Sequence, residues 1–340
     1  MTQSPSPSPS PILFFETAFA IQRTCSIRAA VDLDVFTAIN EGHNTTSALA
    51  DRCHASERGL RMLVDYLVML GFLTKSDNTY ALTQDSAVFL VKTSPAYLGG
   101  TLDFLLSPTL FQGFCDLTEA VRKGGTAMPE QGTIAEEFHE WVTFARAMVP
   151  MMIGPAKWIA EHLVSTGETI RKILDVAAGH GIFGIEIAKR FPDAAVTAVD
   201  WPSVLTVARE NADAASLGDR FKTLPGSAFD VDLGEGHDLV LLTNFLHHFA
   251  IPECENFLRK LRASMAPNGR VITLEFVPND DRISPASADF ALIMLVTTPE
   301  GDAYTFKEWD SMFQNAGFGR SELHAVPNSK EHIIVTHQAS

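Results

Sequence analysis

The spacing of apolar residues divides the chain into a helical N-terminal part and an alternating C-terminal part. From Ile12 to about Val91 the period is mainly helical, and Leu13–Ile39 is rich in Ala, Leu, Phe and Ile at helix spacing. Thr45 or Thr46 caps a short helix that runs to Cys53, and Ser56 caps a second over Glu57–Leu70, with Gly71 as its stop. Phe72-Leu73-Thr74, then Ser76-Asp77-Asn78, then Tyr80-Ala81-Leu82 reads as a β-hairpin. Two short helices and a hairpin make a winged helix-turn-helix. Helical spacing continues from Ser94 to Val164, with breaks at Pro108 and Gly124-Gly125 and a loop at Met128–Gly132. Thr133–Met148 is expected as a helix with the apolar stripe Phe138, Trp141, Val142, Ala145 and Met148.

From Ile173 the period alternates. Ile173-Leu174-Asp175-Val176 reads as a buried strand, Ala178-Gly179-His180-Gly181 as a turn, and Ile182 to Phe191 as a helix broken by Pro192-Asp193. A second strand, Ala195–Val199, ends on Asp200. Helices are expected over Pro202–Ala215, Ile251–Met265, Ala286–Thr297 and Phe306–Ala316, and strands over Phe221–Leu224, Asp238–Thr243 and Val271–Phe276. The last two runs, Ser321–Ala325 and His332–Val335, are joined by a turn around Pro327-Asn328-Ser329. That gap is too short for a parallel crossover, so the sheet should end in an antiparallel hairpin.

Composition narrows the function classes. The 340 residues are 46% hydrophobic and carry 26 Lys+Arg against 41 Asp+Glu, a net charge of −15, which argues against general nucleic-acid binding. The second helix of the winged motif offers only Arg58 and Arg61 where base readout needs several polar side chains. Packing and dimerisation therefore explain it better than DNA binding. Cys25, Cys53, Cys115 and Cys254 are widely spaced with no CxxC pair, so no metal site is expected and free cytosolic thiols fit best. No apolar run reaches transmembrane length. The opening TQSPSPSPSP is low-complexity without a signal pattern, and residues 1–11 read as a disordered leader.

The candidate chemistry sits in the Ile173–Asp200 unit. Glycine at 179 and 181 lets the backbone approach a ligand, and Asp200 at the end of the second strand can accept from both ribose hydroxyls. An adenosine-containing ligand is expected. Gly179-His180-Gly181-Ile182-Phe183-Gly184 satisfies the dinucleotide pattern G-x-G-x-x-G. Two features point away from NAD: the terminal antiparallel hairpin, and Asp175 inside the first strand, where a carboxylate suits an ammonium better than a pyrophosphate. S-adenosylmethionine, with its sulfonium and amino-acid tail, fits these groups. Phe144, Met148, Met151 and Met152 form an aromatic and thioether cluster at a domain junction, where either a core or a pocket wall is plausible.

On these residues the chain resembles the class I S-adenosylmethionine-dependent methyltransferases. More narrowly, it is similar to bacterial and plant small-molecule O-methyltransferases with an N-terminal winged-helix dimerisation domain. The family loop D-x-x-x-G-x-G stands as Asp175 to Gly181, its ribose acid as Asp200 before Trp201, and its adenine turn as Gly226-Ser227-Ala228-Phe229, with Ser227 in place of the usual Asp. The fourth-strand motif stands as Thr243-Asn244-Phe245-Leu246-His247-His248-Phe249. The resemblance implies cofactor contacts from Asp175, Gly179, Gly181, Asp200, Trp201, Ser227, Ala228, Phe229, Thr243 and Asn244, and S-adenosylhomocysteine as product. It implies His247 as general base with Glu275 orienting it, and Phe144, Met148, Met152, His248, Phe290 and Met294 around the acceptor. The family's second acid falls on Ala303, and Asp302 or Glu300 is the nearest replacement.

The expected architecture is α/β, with a C-terminal Rossmann-like domain (165–340) on a mostly parallel seven-stranded sheet. It follows a mainly α winged-helix dimerisation domain (12–93) and a helical connector (94–164) contributing to dimer and pocket. The expected activity is methyl transfer to a hydroxyl of a small aromatic or polyketide-like natural product by a cytoplasmic homodimer, without nucleic-acid or membrane partners. N- or C-methylation, or a non-methylating use of the bound cofactor, is the nearest alternative. An NAD-dependent oxidoreductase and a ligand-sensing transcription factor are more distant ones.

Overall fold

The apolar runs become nine strands among the residues that the computed structural model describes, 8–135, 138–167, 169–327 and 329–339. Contacts divide the chain into two compact units between Leu102 and Asp103, so most of the stretch expected as a connector belongs to the second unit. The expected leader lies outside the described residues as far as residue 7, as does Asn328 of the last turn.

In the first unit the Leu13–Ile39 pattern is three helices, Ile12–Ala18, Ala20–Asp32 and Val35–Asn40; Phe19 falls between the first two, and Asp34, in the left-handed region at φ 59°, separates the last two. The next two helices start where their caps predict. Thr45 Oγ1 accepts from the Ala48 amide ahead of Thr46–Arg52, and Ser56 Oγ accepts from the Gly59 amide ahead of Glu57–Met69. The hairpin pairs β1 (Leu73–Ser76) with β2 (Thr79–Leu82). Leu60, Val64 and Leu67 turn one face of the second capped helix onto Phe36, Leu49 and Tyr80. The first helix buries nothing: Ile12, Leu13 and Phe14 are more than half exposed.

The second unit is built on β3 (Lys172–Val176), β4 (Ala195–Asp200), β5 (Phe221–Pro225), β6 (His237–Thr243), β7 (Met265–Glu275), β8 (Phe318–Ala325) and β9 (His332–Gln338). They stand in the order β5-β4-β3-β6-β7-β9-β8. The first five run parallel, and β9 is antiparallel to both β7 and β8, as the short final gap requires. The sheet has a core on each face. Ile173, Leu239, Leu241 and Ile272 point into one, and Leu174, Val176, Val240 and Leu242 into the other. The chain runs outward from β3 through β4 to β5, then returns to β6 on the other side of β3. The carboxyl ends of β3 and β6 therefore flank the switch point, where α/β sheets hold their ligands.

Two expected elements differ. Of the helix expected over Thr133–Met148, the α-helix among the described residues is Glu140–Ala147, and Thr133 and Ile134 belong to a 3-10 turn. Glu130 and Gln131 take positive φ, and the Thr133 hydroxyl donates to the Thr297 carbonyl, so a tertiary bond holds this stretch out of the helix. The helix expected to reach Met265 stops at Ala263, and Pro267-Asn268-Gly269 lies inside β7. An irregularity of register opposite His237 and Leu239 accommodates the turn-forming residues there.

Candidate active site

The loop after β3 is shaped by its glycines. Gly179 (φ 55°) and Gly181 (φ 71°) both lie in the left-handed region. A Cβ on Gly181 would sit 3.1 Å from Ala208 Cβ and from the Phe221 ring, so glycine is required there for packing. A Cβ on Gly179 would meet nothing nearer than 4.0 Å, and one of the two atoms at that distance is Cε1 of Phe144. Gly179 thus faces open space bordered by an aromatic ring. His180 Nδ1 accepts from the Ile182 amide at the start of the helix Ile182–Arg190, and burial keeps it neutral, pushed down to about 4.

Two acids frame this loop. Asp200 Oδ2 accepts from the Gly179 amide at 2.8 Å and Oδ1 from the Trp201 amide at 2.7 Å, tying the loop to the end of β4. Burial holds its carboxyl up at about 6 despite those two bonds. Asp175 Oδ2 accepts from the Gly184 amide at 3.2 Å, while Oδ1 is buried with no partner among the described residues. Burial pushes Asp175 up to about 8, and nearby Asp200 adds to this. A buried acid with an unused oxygen is costly unless a donor or cation meets it. These two carboxyls beside an open glycine loop therefore fit a nucleoside that also carries positive charge.

The turn after β5 completes the rim. Ser227 Oγ accepts from the Phe229 amide at 3.2 Å, so its hydroxyl shapes the turn. The Phe229 ring packs on Phe249 and Phe257, with centroids 4.8 and 5.0 Å away. Lys260, which the sequence pattern does not single out, donates to the carbonyls of Ala228, Phe229 and Val231 at 3.0, 2.7 and 2.7 Å. Lys260→Met keeps the aliphatic stem and strips three carbonyls of their donor. It should cost about 2–3 kcal/mol in urea unfolding, the scale of hydrogen bonds to a charged group. An unchanged midpoint at unchanged slope would show that the turn does not depend on this clamp.

β6 ends on Thr243, and the chain then turns through Asn244 (φ 53°) into the short 3-10 turn Leu246–His248. This places His247 beside the end of β7. Its Nδ1 lies 2.5 Å from Glu275 Oε2, and both side chains are almost fully buried. Burial lowers the imidazole and raises the carboxyl, the latter only partly offset by the backbone amides of Phe245 and His247. The pair therefore favours a state without net charge. The expected replacements for the missing acid at Ala303 do not reach it. Asp302 donates its backbone amide to the His247 carbonyl, but its carboxylate pairs with Arg282 at 2.9 Å, and Glu300 is exposed.

The expected acceptor residues separate into those the structure ties to this pair or to the loop and those it simply buries. The Phe290 ring stands edge-on to His247 at 4.9 Å and stacks on Phe276. His248 lies 4.3 Å from the His247 ring and 5.5 Å from Trp141, which meets Phe144 edge-on at 5.4 Å. Met152 Sδ is 3.8 Å from Asn244 Nδ2. Met148 and Met294 are buried, whereas Met151 is turned outward and 41% exposed, leaving the thioether cluster. Trp141, Phe276 and Phe104, which packs on Phe144, were not distinguishable in the sequence from ordinary core aromatics.

A family model described as an O-methyltransferase domain matches residues 140–319, and one described as an O-methyltransferase dimerisation domain matches residues 15–92. The chain is 28% identical to a 3-hydroxy-5-methyl-1-naphthoate 3-O-methyltransferase of Streptomyces sahachiroi, over 90% of this chain and 89% of that one. It is 51% identical to a crystal structure of a Nostoc punctiforme chain designated an O-methyltransferase, with a TM-score of 0.94 over 97% of this chain and all of that one. Human N-acetylserotonin methyltransferase in complex with S-adenosylmethionine shares the fold, with a TM-score of 0.84 at 22% identity over 99% of this chain and 100% of that one.

Proposed function

This chain belongs to the O-methyltransferase family, whose methyl donor is S-adenosylmethionine, and from that premise we propose that it methylates a hydroxyl of a small aromatic or polyketide-like acceptor with His247 as base. The observation that carries this reading is the buried His247–Glu275 pair at the switch point, ringed by Phe290, His248 and Trp141. Asp175, Gly179, Gly181, Asp200, Trp201, the Ser227–Phe229 turn and Thr243 hold the cofactor. Asp200 accepts from the ribose hydroxyls with its remaining lone pairs, and the orphan oxygen of Asp175 answers the positive charge. When bound, S-adenosylmethionine supplies an electrophilic methyl group on a cationic sulfur.

Glu275 holds the Nδ1 proton of His247, which leaves Nε2 free to take the acceptor's hydroxyl proton. That tautomer leaves the pair with one negative charge, which burial opposes and a cation nearby favours. Phe290 and the aromatic wall fix the acceptor ring and exclude water, so that alignment adds to acid–base catalysis. The apolar wall suits a flat aromatic better than a charged sugar or peptide.

The protein acts as a homodimer through its dimerisation domain, whose first helix exposes Ile12, Leu13 and Phe14. Obligate interfaces resemble a core cut in half, and this helix has no core of its own. Nucleic acid is not a partner. In the helix Glu57–Met69, Arg61 is paired with Asp65 at 3.3 Å, and Lys75 of the wing binds the same carboxylate at 2.6 Å. The four cysteines are free thiols and no helix among the described residues is long and apolar enough to cross a membrane, as suits a cytoplasmic enzyme. The test is to incubate the protein with S-adenosylmethionine and simple phenols and to identify products by mass spectrometry. S-adenosylhomocysteine and an aryl methyl ether should form together. Stabilisation by NAD alone, or methyl transfer confined to nitrogen or carbon, would overturn the reading.

A further inference from the structure

We propose that Asn244 and Glu331 form an acceptor-selecting subsite beside the His247–Glu275 pair, which receives a second hydrogen-bond-donating substituent, a hydroxyl or an amine, of the aromatic acceptor. The inference rests on the reading of that pair as the methyl-transfer site. It assigns Asn244 to the acceptor and gives a role to Glu331, which no sequence motif marks.

Topology brings the two residues together. Asn244 follows the last residue of β6 and is three positions ahead of His247. Glu331 precedes β9, whose first residue, His332, is paired with Glu275 in the β7–β9 ladder. Both therefore stand at the end of the sheet that carries the base. Asn244 Nδ2 donates to Glu331 Oε1 at 2.8 Å, and the same nitrogen contacts the sulfur of Met152. The Asn244 backbone sits in the left-handed region, which asparagine tolerates better than most residues.

The polar groups there are short of donors. Glu331 is 4% exposed, and among the described residues its carboxyl accepts from two neutral groups, the Asn244 amide and the Ser329 hydroxyl at 3.3 Å. Burial, with Glu275 nearby, holds Glu331 up at about 7. Asn244 Oδ1 is buried and has no partner among the described residues. An orphan acceptor beside an underbonded acid calls for a donor, and the neighbouring acid, Glu275, repels an acceptor's carboxylate. A second phenol hydroxyl or an aromatic amine meets both conditions while its ring remains between the aromatic walls.

The test compares kcat/KM for resorcinol, catechol and 2-aminophenol with that for 3-methoxyphenol and 2-methoxyphenol, which keep an oxygen substituent and lose the second donor. The native enzyme should prefer the donor-bearing acceptors by at least about tenfold, because a site built to bond a donor rejects the analogue lacking it. Glu331→Leu should collapse that preference toward unity, mainly through KM for the donor-bearing acceptors, and Glu331→Gln should retain part of it. Thermal shift of the S-adenosylhomocysteine-saturated protein with resorcinol against 3-methoxyphenol reads the subsite without turnover. Failure of methyl transfer is thereby separated from failure of recognition. Equal shifts with the two compounds, or a preference that survives Glu331→Leu, would overturn the proposal.

Discussion

His247→Ala should lower turnover by roughly 10²–10⁴-fold, the range for a lost general base, while leaving S-adenosylmethionine affinity almost unchanged. The affinity survives because the loop amides, Asp200 and the Lys260-clamped turn lie on β3, β4 and β5, and none of their hydrogen bonds runs through the imidazole. The pH profile gives a second readout. Burial lowers His247 and raises Glu275, so at low pH the pair already carries an extra proton and cannot accept another. The base form appears as that proton is lost, so the native rate rises with pH, and the titration belongs to the pair. The alanine variant should lose this acidic limb. Glu275→Gln should do less damage, since an amide oxygen still accepts from Nδ1 but brings no charge to stabilise the imidazolium. The acceptor used must have a high pKa, because one already ionised at neutral pH needs no base. A near-native rate for His247→Ala on such an acceptor would leave alignment alone as the source of catalysis.

Asp200→Ala should weaken S-adenosylmethionine and S-adenosylhomocysteine binding by about 10²-fold or more and remove most of their thermal stabilisation. The carboxylate acts twice. In the proposed site it gives ribose hydroxyls a charged acceptor, and it pins the Gly179 amide to the end of β4 at 2.8 Å, so its loss should also loosen the loop. Each charge-assisted bond contributes about 1.5–3 kcal/mol, and two suffice for the expected change. The sign of the pH effect follows from the raised carboxyl, held near 6 by burial. Above that value Asp200 is ionised and accepts strongly; as pH falls through it, the proton competes with the ribose and native affinity declines. The alanine variant should lose this dependence in calorimetric titration. Retained affinity with retained pH dependence would place the ribose elsewhere.

The strand–loop–helix around Gly179 and the capped helices at Thr45 and Ser56 were legible because their determinants are local. Glycine conformations, caps and apolar periods act within a few residues. The antiparallel end of the sheet was legible for a similar reason, since the length of the last connection limits its geometry. The start of the expected 133–148 helix was not, because Thr133 is bonded to the carbonyl of Thr297, 164 residues further along. Pro267-Asn268-Gly269 has the composition of a helix stop, yet an irregularity against β6 absorbs it within a strand.

The chain alone determined a mostly parallel sheet with an antiparallel end, the acid at the end of β4 and the histidine after β6, since each follows from periodicity, connection length or a family motif; the strand order came with the structure. Tertiary structure decided which polar groups share one buried volume. It turned Asp302 outward to Arg282, placed Lys260 under the carbonyls of the turn after β5, and brought Glu331 from the final hairpin to Asn244. No local pattern encodes these pairings, because their energies arise only when segments distant in sequence meet in the folded chain. The fate of each acid was set by its neighbours: solvent and an arginine for Asp302, burial beside another carboxyl for Glu331.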